Sequence, residues 1–427
     1  MRLTTPAGEE DLRQSVAAVL DRRLRPHASA PIAVALSGGG DSVALLHAAD
    51  AWARARGRTL LVLSVDHRLQ AHSADWIAAC QARAASLGWP FRALTWDGAK
   101  PAHGLPAAAR AARHALLADS ARQAGARVLL MGHTAGDVAE ARAMRAAGST
   151  TPDPREWSPA PAWPQGRGLF LLRPLLGLDR AAVRAWLAGC GLAWIEDPAN
   201  ADLRYARPRA RAALADAAAS PPPAGPDPDT AALALACRAG PWGDLSLSRQ
   251  ALGHATPQAA RAFVAAACLC AAGSARPPRR ERLDRLSTLL RGDAPLTATL
   301  AGARVEAGAV EVCFLREPGE AARGGLAPLA LVPGAPQVWD GRFELTASQA
   351  GLVVRALAGL AARLPDDQRA ALARLPASAR GATPAILDEA GVPTALAASA
   401  VPGVAIRALV QDRLRAACGL VEREPAS

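Results

Sequence analysis

Residues 32–43 read Ile32-Ala33-Val34-Ala35-Leu36-Ser37-Gly38-Gly39-Gly40-Asp41-Ser42-Val43, and this succession of apolar, glycine and hydroxyl residues decides the fold class. A short apolar run bounded by Pro31 and by glycines suits a strand buried on both faces, as in a parallel sheet. From Val43 to residue 55 the apolar residues recur at helical spacing, so a helix starts where the glycines end. Strand, glycine turn and helix together suit an oxyanion. Glycines let the backbone turn tightly and approach the ligand, and the helix start presents unpaired amides and the positive end of its dipole. Ser37 and Ser42 supply hydroxyl donors, and Asp41 suits a magnesium ion bridging phosphate oxygens, since a bare carboxylate there would repel the ligand. The pattern is not G-x-x-x-x-G-K-[ST], and no lysine lies nearby.

Outward from this stretch, periodicity predicts helices over 11–24, 75–87, 106–124, 137–147 and 180–188, with strands over 60–65, 91–96, 127–131 and 169–172. Such alternation predicts an α/β domain with a parallel sheet covered on both faces. Residues 150–168 hold Pro152, Pro154, Pro159, Pro161 and Pro164, which predicts no regular element there. The proline-rich segment 217–228 reads as a linker after a first domain at 1–216. A mainly helical domain at 229–320, with a basic stretch over 276–291 and a hairpin-like alternation over 297–315, then precedes a small α+β domain at 321–427.

The formal charge of +11 suggests a polyanionic partner, because clustered cations release the counterions condensed on phosphates. Lys100 is the only lysine, so an arginine-biased composition accounts for the same excess. The seven cysteines are scattered, without C-x-x-C spacing, as expected for structural thiols in a reducing cytoplasm. No run of eighteen uncharged apolar residues and no basic-plus-apolar leader is visible, so a cytoplasmic protein without a membrane partner is expected.

The stretch Ser37 to Ser42 resembles the PP-loop of the ATP pyrophosphatase superfamily, whose members cleave ATP between the α and β phosphates and transfer AMP to a substrate oxygen. Further segments, in order, resemble the bacterial tRNA(Ile)-lysidine synthetases. They are Ser64-Val65-Asp66-His67, Gly104-Leu105 with Arg110 and Arg113, Gly132-His133-Thr134-Ala135-Gly136-Asp137-Val138-Ala139-Glu140, Leu172-Arg173-Pro174-Leu175-Leu176, and Trp194-Ile195-Glu196-Asp197-Pro198-Ala199-Asn200. Taken singly, His67 and His133 also read as histidines at strand ends, Arg110 and Arg113 as a solvated helix face, and Asp197-Pro198 as a turn. Only their joint order is specific. Where the family carries paired aspartates, a glutamine, a threonine, a helix tyrosine and an asparagine, this sequence has Gly136 before Asp137, then Val138, Ala141, His114 and Pro208; the family's R-G-S-G is reduced to Ala147-Gly148-Ser149-Thr150.

The resemblance implies an adenine nucleotide alpha hydrolase-like domain using ATP and Mg2+, with tRNA(Ile) bearing a CAU anticodon and free L-lysine as partners. It implies that Ser37, Gly38, Gly39, Gly40, Asp41, Ser42, Val65, His67 and His133 hold the nucleotide, with the metal on Asp41. Arg110, Arg113, Asp137 and Arg173 would bind substrate, and Asp41, Arg113, Asp137 and Glu140 would carry the chemistry. Parts of the second half, including Val338-Trp339-Asp340-Gly341-Arg342-Phe343, resemble divergent forms of the family's tRNA-binding domains, with Trp242 and Trp339 expected in the core. Oligomeric state is left open, a homodimer being one arrangement. Two other readings stand beside this one: a tRNA thiolase of the same superfamily, which would need paired or activated cysteines where Cys80 stands alone, and an inactive tRNA-binding homologue, suggested by Gly136 and Val138.

Overall fold

The computed structural model describes residues 7–70, 72–148, 153–197, 206–214, 227–389, 391–396 and 403–426. Pro152, Ser149-Thr150, Pro198-Ala199-Asn200 and the linker up to residue 226 lie outside them. The chain divides into two compact units, Met1–Gly225 with Val421–Ser427, and Pro226–Leu420. Among the described residues no helix is long and apolar enough to cross a membrane.

In the first unit, β1 (Ile32–Ala35), β2 (Leu60–Asp66), β3 (Phe91–Thr95), β4 (Val128–Leu130), β5 (Trp157–Pro159) and β6 (Phe170–Leu172) form one sheet in the order β3-β2-β1-β4-β6-β5. All pairings are parallel except β5 with β6. Side-chain alternation divides the strands between two cores. Ile32, Val34, Leu60, Val62, Val128 and Leu130 face α1 (Ala7–Arg23), α2 (Gly40–Arg56) and α6 (Arg180–Gly189). Ala33, Leu61, Leu63, Leu129 and Met131 face Leu117, Ala118 and Ala121 of α4 (Leu105–Gln123). The helices α3 (Ser73–Ser86), α5 (Ala135–Ala146) and α7 (Ala206–Ala213) complete this unit.

Chain order runs outward from β1 in one direction to β2 and β3, and in the other to β4 and β6. The carboxyl ends of β1 and β4 therefore border the switch point where ligands of open α/β sheets bind. The strand β5 corrects the expectation of no regular element over 150–168. It lies at the sheet edge, where a proline's missing N–H is tolerated, and Trp157 stacks on Phe170 with centroids 4.9 Å apart.

The final residues also group with this unit. Glu424, with its side chain 1% exposed, pairs with the equally buried Arg58 at 2.8 Å, and the Trp157 indole donates to the Val421 carbonyl at 2.6 Å.

In the second unit, α8 (Pro228–Ala236), α9 (Arg249–His254), α10 (Pro257–Ala272) and α11 (Arg280–Arg291) accompany a five-stranded sheet of β7 (Arg238–Ala239), β8 (Leu245–Ser248), β11 (Glu311–Arg316), β10 (Ala303–Ala307) and β9 (Leu296–Leu300). Smaller sheets of four and three strands follow within residues 329–408. The helix α12 (Val410–Ala417), which follows short helices at 366–373 and 377–380, packs Val410 and Leu414 into the core built around α10. The expected domains were 229–320 and 321–427; residues 226–420 group as one compact unit, and 421–427 group with the first. Trp339 is buried, with its indole donating to the Ala327 carbonyl at 2.8 Å, and Trp242 packs against a leucine cluster, so both serve the core.

Candidate active site

The loop after β1 turns at Gly38. Gly38 has φ +83°, and a Cβ there would lie 2.5 Å from Ile195 Cδ1, while its carbonyl accepts from the Ile195 amide at 2.9 Å. The Trp194-Ile195-Glu196 segment therefore braces the loop. Gly39 caps α2 without a side-chain bond, so the first amides of that helix have no side-chain cap. Ser42 Oγ donates to the Gly39 carbonyl at 2.8 Å and lies 3.2 Å from both the Ser37 amide and hydroxyl, so the two serines tie the loop to itself.

Gly132 brings the second half of the site against the first. A Cβ at this position would sit 2.8–2.9 Å from the backbone of Asp41 and Ser42, so only glycine lets the end of β4 pack on the start of α2. At the start of α5, Asp137 Oδ2 accepts from the Thr134 amide at 2.7 Å, leaving Oδ1 to face the site. Asp137 and Glu140, one helical turn apart, are both buried.

Three arginines hold these carboxylates. Arg180, at the start of α6, reaches Asp41 at 3.3 Å, Asp137 at 3.3 Å and Glu140 at 3.5 Å. Arg207 donates to Asp137 Oδ1 and, at 2.7 Å, to Glu140 Oε2; Arg211 donates to Glu140 Oε1 at 2.7 Å. Burial works to raise the Glu140 carboxyl, but the bonds from Arg211 and Arg207 outweigh it and hold Glu140 below the usual range. Asp41 behaves oppositely: burial raises its carboxyl, and Arg180 only partly offsets this. Arg180, Arg207 and Arg211 were not among the expected site residues. Their spacing from the loop is long and nothing local separates them from the chain's other arginines; the only signal was the pair Arg207 and Arg211 flanking Pro208.

Arg110, Arg113 and Arg173 add positive charge that these carboxylates do not offset. Burial, and secondarily Arg110, push both Arg113 and Arg173 down to about 10, so both remain cations at neutral pH. The Arg113 Nε is enclosed and has no partner among the described residues. Burial and the neighbouring arginines hold His133 well below the ordinary imidazole range and His114 down to about 2, so both rings are neutral. His67, likewise lowered first by burial and then by Arg113, meets Trp96 edge-on at 6.0 Å, and Val65 packs against the α4-side core.

The expected residues therefore fall into two groups: the loop with Asp41, and Arg110, Arg113, His133, Asp137, Glu140 and Arg173 beside it. Such a net-positive cluster, beside helix-start amides without a side-chain cap, suits phosphates. Asp41 Oδ1 is buried without a hydrogen-bond partner, as fits a cation ligand. Among the described residues no cluster of three or more His, Cys, Asp or Glu is placed to hold a metal. A Cβ at Gly136 would meet only Thr134 Oγ1 at 3.8 Å, whereas Val138 is fully buried.

Residues 11–218 match the family model described as PP-loop domain. A protein of Caulobacter vibrioides named tRNA(Ile)-lysidine synthase is 50% identical over 416 residues, covering 96% of this chain and 98% of that protein. Proteins of the same name from Hyphomonas neptunium and Rhizobium meliloti are each 35% identical, over 69% and 76% of this chain and 84% and 75% of theirs. With the glycine loop, the β4–α5 carboxylates and a match along nearly the whole chain, the protein belongs to the tRNA(Ile)-lysidine synthase family of PP-loop enzymes.

Proposed function

We propose that the protein ligates L-lysine to carbon 2 of the wobble cytidine of tRNA(Ile) with a CAU anticodon, by way of an adenylated cytidine, releasing pyrophosphate and then AMP. The observation that carries this reading is the junction at Gly132, which sets the anion-binding loop and Asp41 beside the Asp137–Glu140 pair. The loop amides and Ser37–Ser42 turn would hold the triphosphate of ATP. Asp41 would hold Mg2+, which when bound neutralises phosphate charge.

The ε-amine of lysine has a solution pKa of about 10.4 and must lose a proton before it attacks. Glu140, clamped below the usual carboxylate range, is suited to hold the ammonium rather than to take its proton. Asp137, anchored through one oxygen by its amide cap, offers the other as the nearby acceptor. Arg180 contacts all three carboxylates at 3.3–3.5 Å, a loose bridge that an incoming ammonium or metal can displace. Arg113 and Arg110 would meet the lysine carboxylate or a phosphate.

The test is incubation of the purified protein with ATP, lysine and tRNA transcripts, followed by nucleoside mass spectrometry. Lysidine in the CAU-bearing tRNA(Ile), and pyrophosphate exchange stimulated by that tRNA, are expected. Binding of tRNA without exchange would make the protein an inactive homologue.

A further inference from the structure

Arg173 and His133 make a contact that this reaction scheme leaves unused. They follow the neighbouring parallel strands β6 and β4, so their side chains meet at the carboxyl edge of the sheet. His133 is 8% and Arg173 6% exposed. Arg173 Nε lies 3.2 Å from His133 Nδ1, while its Nη1 donates to the Arg155 carbonyl at 2.7 Å and the Ser158 hydroxyl at 3.1 Å. A guanidinium has donors only. The Nδ1 facing it must accept through its lone pair, so the single proton of the neutral ring sits on Nε2.

A second proton on Nδ1 would set one N–H against another and add a cation to a site that already holds Arg173, Arg113, Arg207 and Arg110 around the ring. No described residue accepts from Nε2, and that nitrogen is not among the enclosed polar atoms. Its neighbours in sequence fix where it serves: Gly132 packs on the Asp41 backbone, and Thr134 begins the helix of Asp137 and Glu140.

We propose that Arg173 is a positioning residue that locks His133 as the Nε2-protonated neutral imidazole, and that His133 enters the reaction as a hydrogen-bond donor to an anionic substrate oxygen. It is not the base that deprotonates the lysine amine. The excess of arginines selects an anionic acceptor over a neutral one, and the base role falls to the carboxylates on α5. The donor role rests on the ligase reading above; the tautomer does not.

Nitrogen NMR on the full chain labelled with 15N-histidine, free of nucleotide and tRNA, tests the lock directly. The His133 signals are identified by their loss in His133→Gln. Between pH 5.5 and 8.5 they are expected to show a proton on Nε2 and a bare Nδ1, unchanged across the range. A proton on Nδ1, or an imidazolium forming near the ordinary value, overturns the proposal. In Arg173→Leu the ring is expected to exchange between tautomers and to titrate within that range; an unchanged pattern in a folded variant means that Arg173 does not set it. If that variant does not fold, the wild-type spectrum and the His133 variants still decide.

Turnover supplies the second arm. His133→Gln places an amide N–H near the former Nε2 and is expected to keep more than about a tenth of wild-type kcat, whereas His133→Ala is expected to lose about 10²-fold or more, as when an oxyanion donor is removed. Equal losses in both overturn the donor role. A wild-type protein with the expected spectrum but no lysidine formation would defeat the ligase reading alone.

Discussion

The arginines around the site and those on and just before α11 carry the same charge and do different things. Arg180, Arg207 and Arg211 end on carboxylate oxygens, and Arg173 on a ring nitrogen, a carbonyl and a hydroxyl. Arg276, Arg279, Arg282 and Arg285, spaced three apart into α11, are exposed, and their guanidiniums have no ion pair among the described residues. The nearby Asp284 is already shared by Arg261 and Arg280. Burial, with the enclosed arginine charge added to it, keeps His114 and His133 neutral. Exposed charge is screened within about 8 Å at physiological salt and acts mainly on a polyanion whose counterions it displaces. The net charge of +11 is therefore two quantities, one setting protonation inside the site and one setting the salt dependence of association.

The largest effect is expected where the enclosed network meets the phosphate loop. Asp41→Ala removes one end of the Arg180 bridge and the candidate magnesium ligand, and is expected to lower lysidine formation by at least about 10³-fold. Affinity for tRNA should change less than about twofold, since no exposed arginine is touched. Activity within tenfold of wild type in a single-turnover assay would put the triphosphate elsewhere.

Glu424→Ala tests the enclosed class away from the chemistry. It strands Arg58 inside the first unit, and breaking a buried pair costs about 3–5 kcal/mol. The exposed Arg282→Ala should fall within about 0.5 kcal/mol of wild type in the same urea titration. A Glu424→Ala loss below about 1 kcal/mol would show that the Arg25 and Ala30 carbonyls, which Arg58 also reaches, suffice to hold it.

Acid should find the neutral histidines. An unfolded histidine takes up a proton below about pH 6.5, whereas His114 and His133 in the folded chain do not. The unfolded state then binds more protons, so stability is complete above that pH and is lost as pH falls, by about 1.4 kcal/mol per unit for each ring. His114→Tyr is expected to remove one ring's share of the slope between pH 6 and 5. An unchanged slope would mean that His114 already carries a proton in the folded state.

Much of the first unit was legible because its information is local. The strands at residues 32, 60, 128 and 170 each carry a compact apolar run, and the loop, Asp137 and Glu140 each stand in a short ordered motif. What escaped depends on distant parts of the chain meeting. Arg180 is an ordinary first-turn residue of α6 until the fold sets it against Asp41, and Gly132 is one glycine among many until a Cβ is imagined against the Asp41 backbone. The strand β5 was hidden by prolines that an edge position tolerates, and Glu424 by its place near the chain end, far in sequence from Arg58. Arginine function was the least legible, since burial, not residue type, separates the two classes.

The exposed class gives the smallest effect and the most direct reading. Replacing Arg276, Arg279, Arg282 and Arg285 together by glutamine leaves the core of α11, formed by Leu283, Leu286 and Leu290, untouched. If all four meet phosphates, each contributes about 0.7–0.9 to the slope of log affinity against log salt, so the slope for tRNA should fall by about 3. Affinity near physiological salt should drop about tenfold, or 1.4 kcal/mol, and kcat at saturating tRNA should stay at the wild-type value. An unchanged slope would assign these arginines to the composition of the chain, leaving the tRNA to be gripped elsewhere. A fall in kcat with an unchanged slope would instead join them to the enclosed class and erase the distinction between the two.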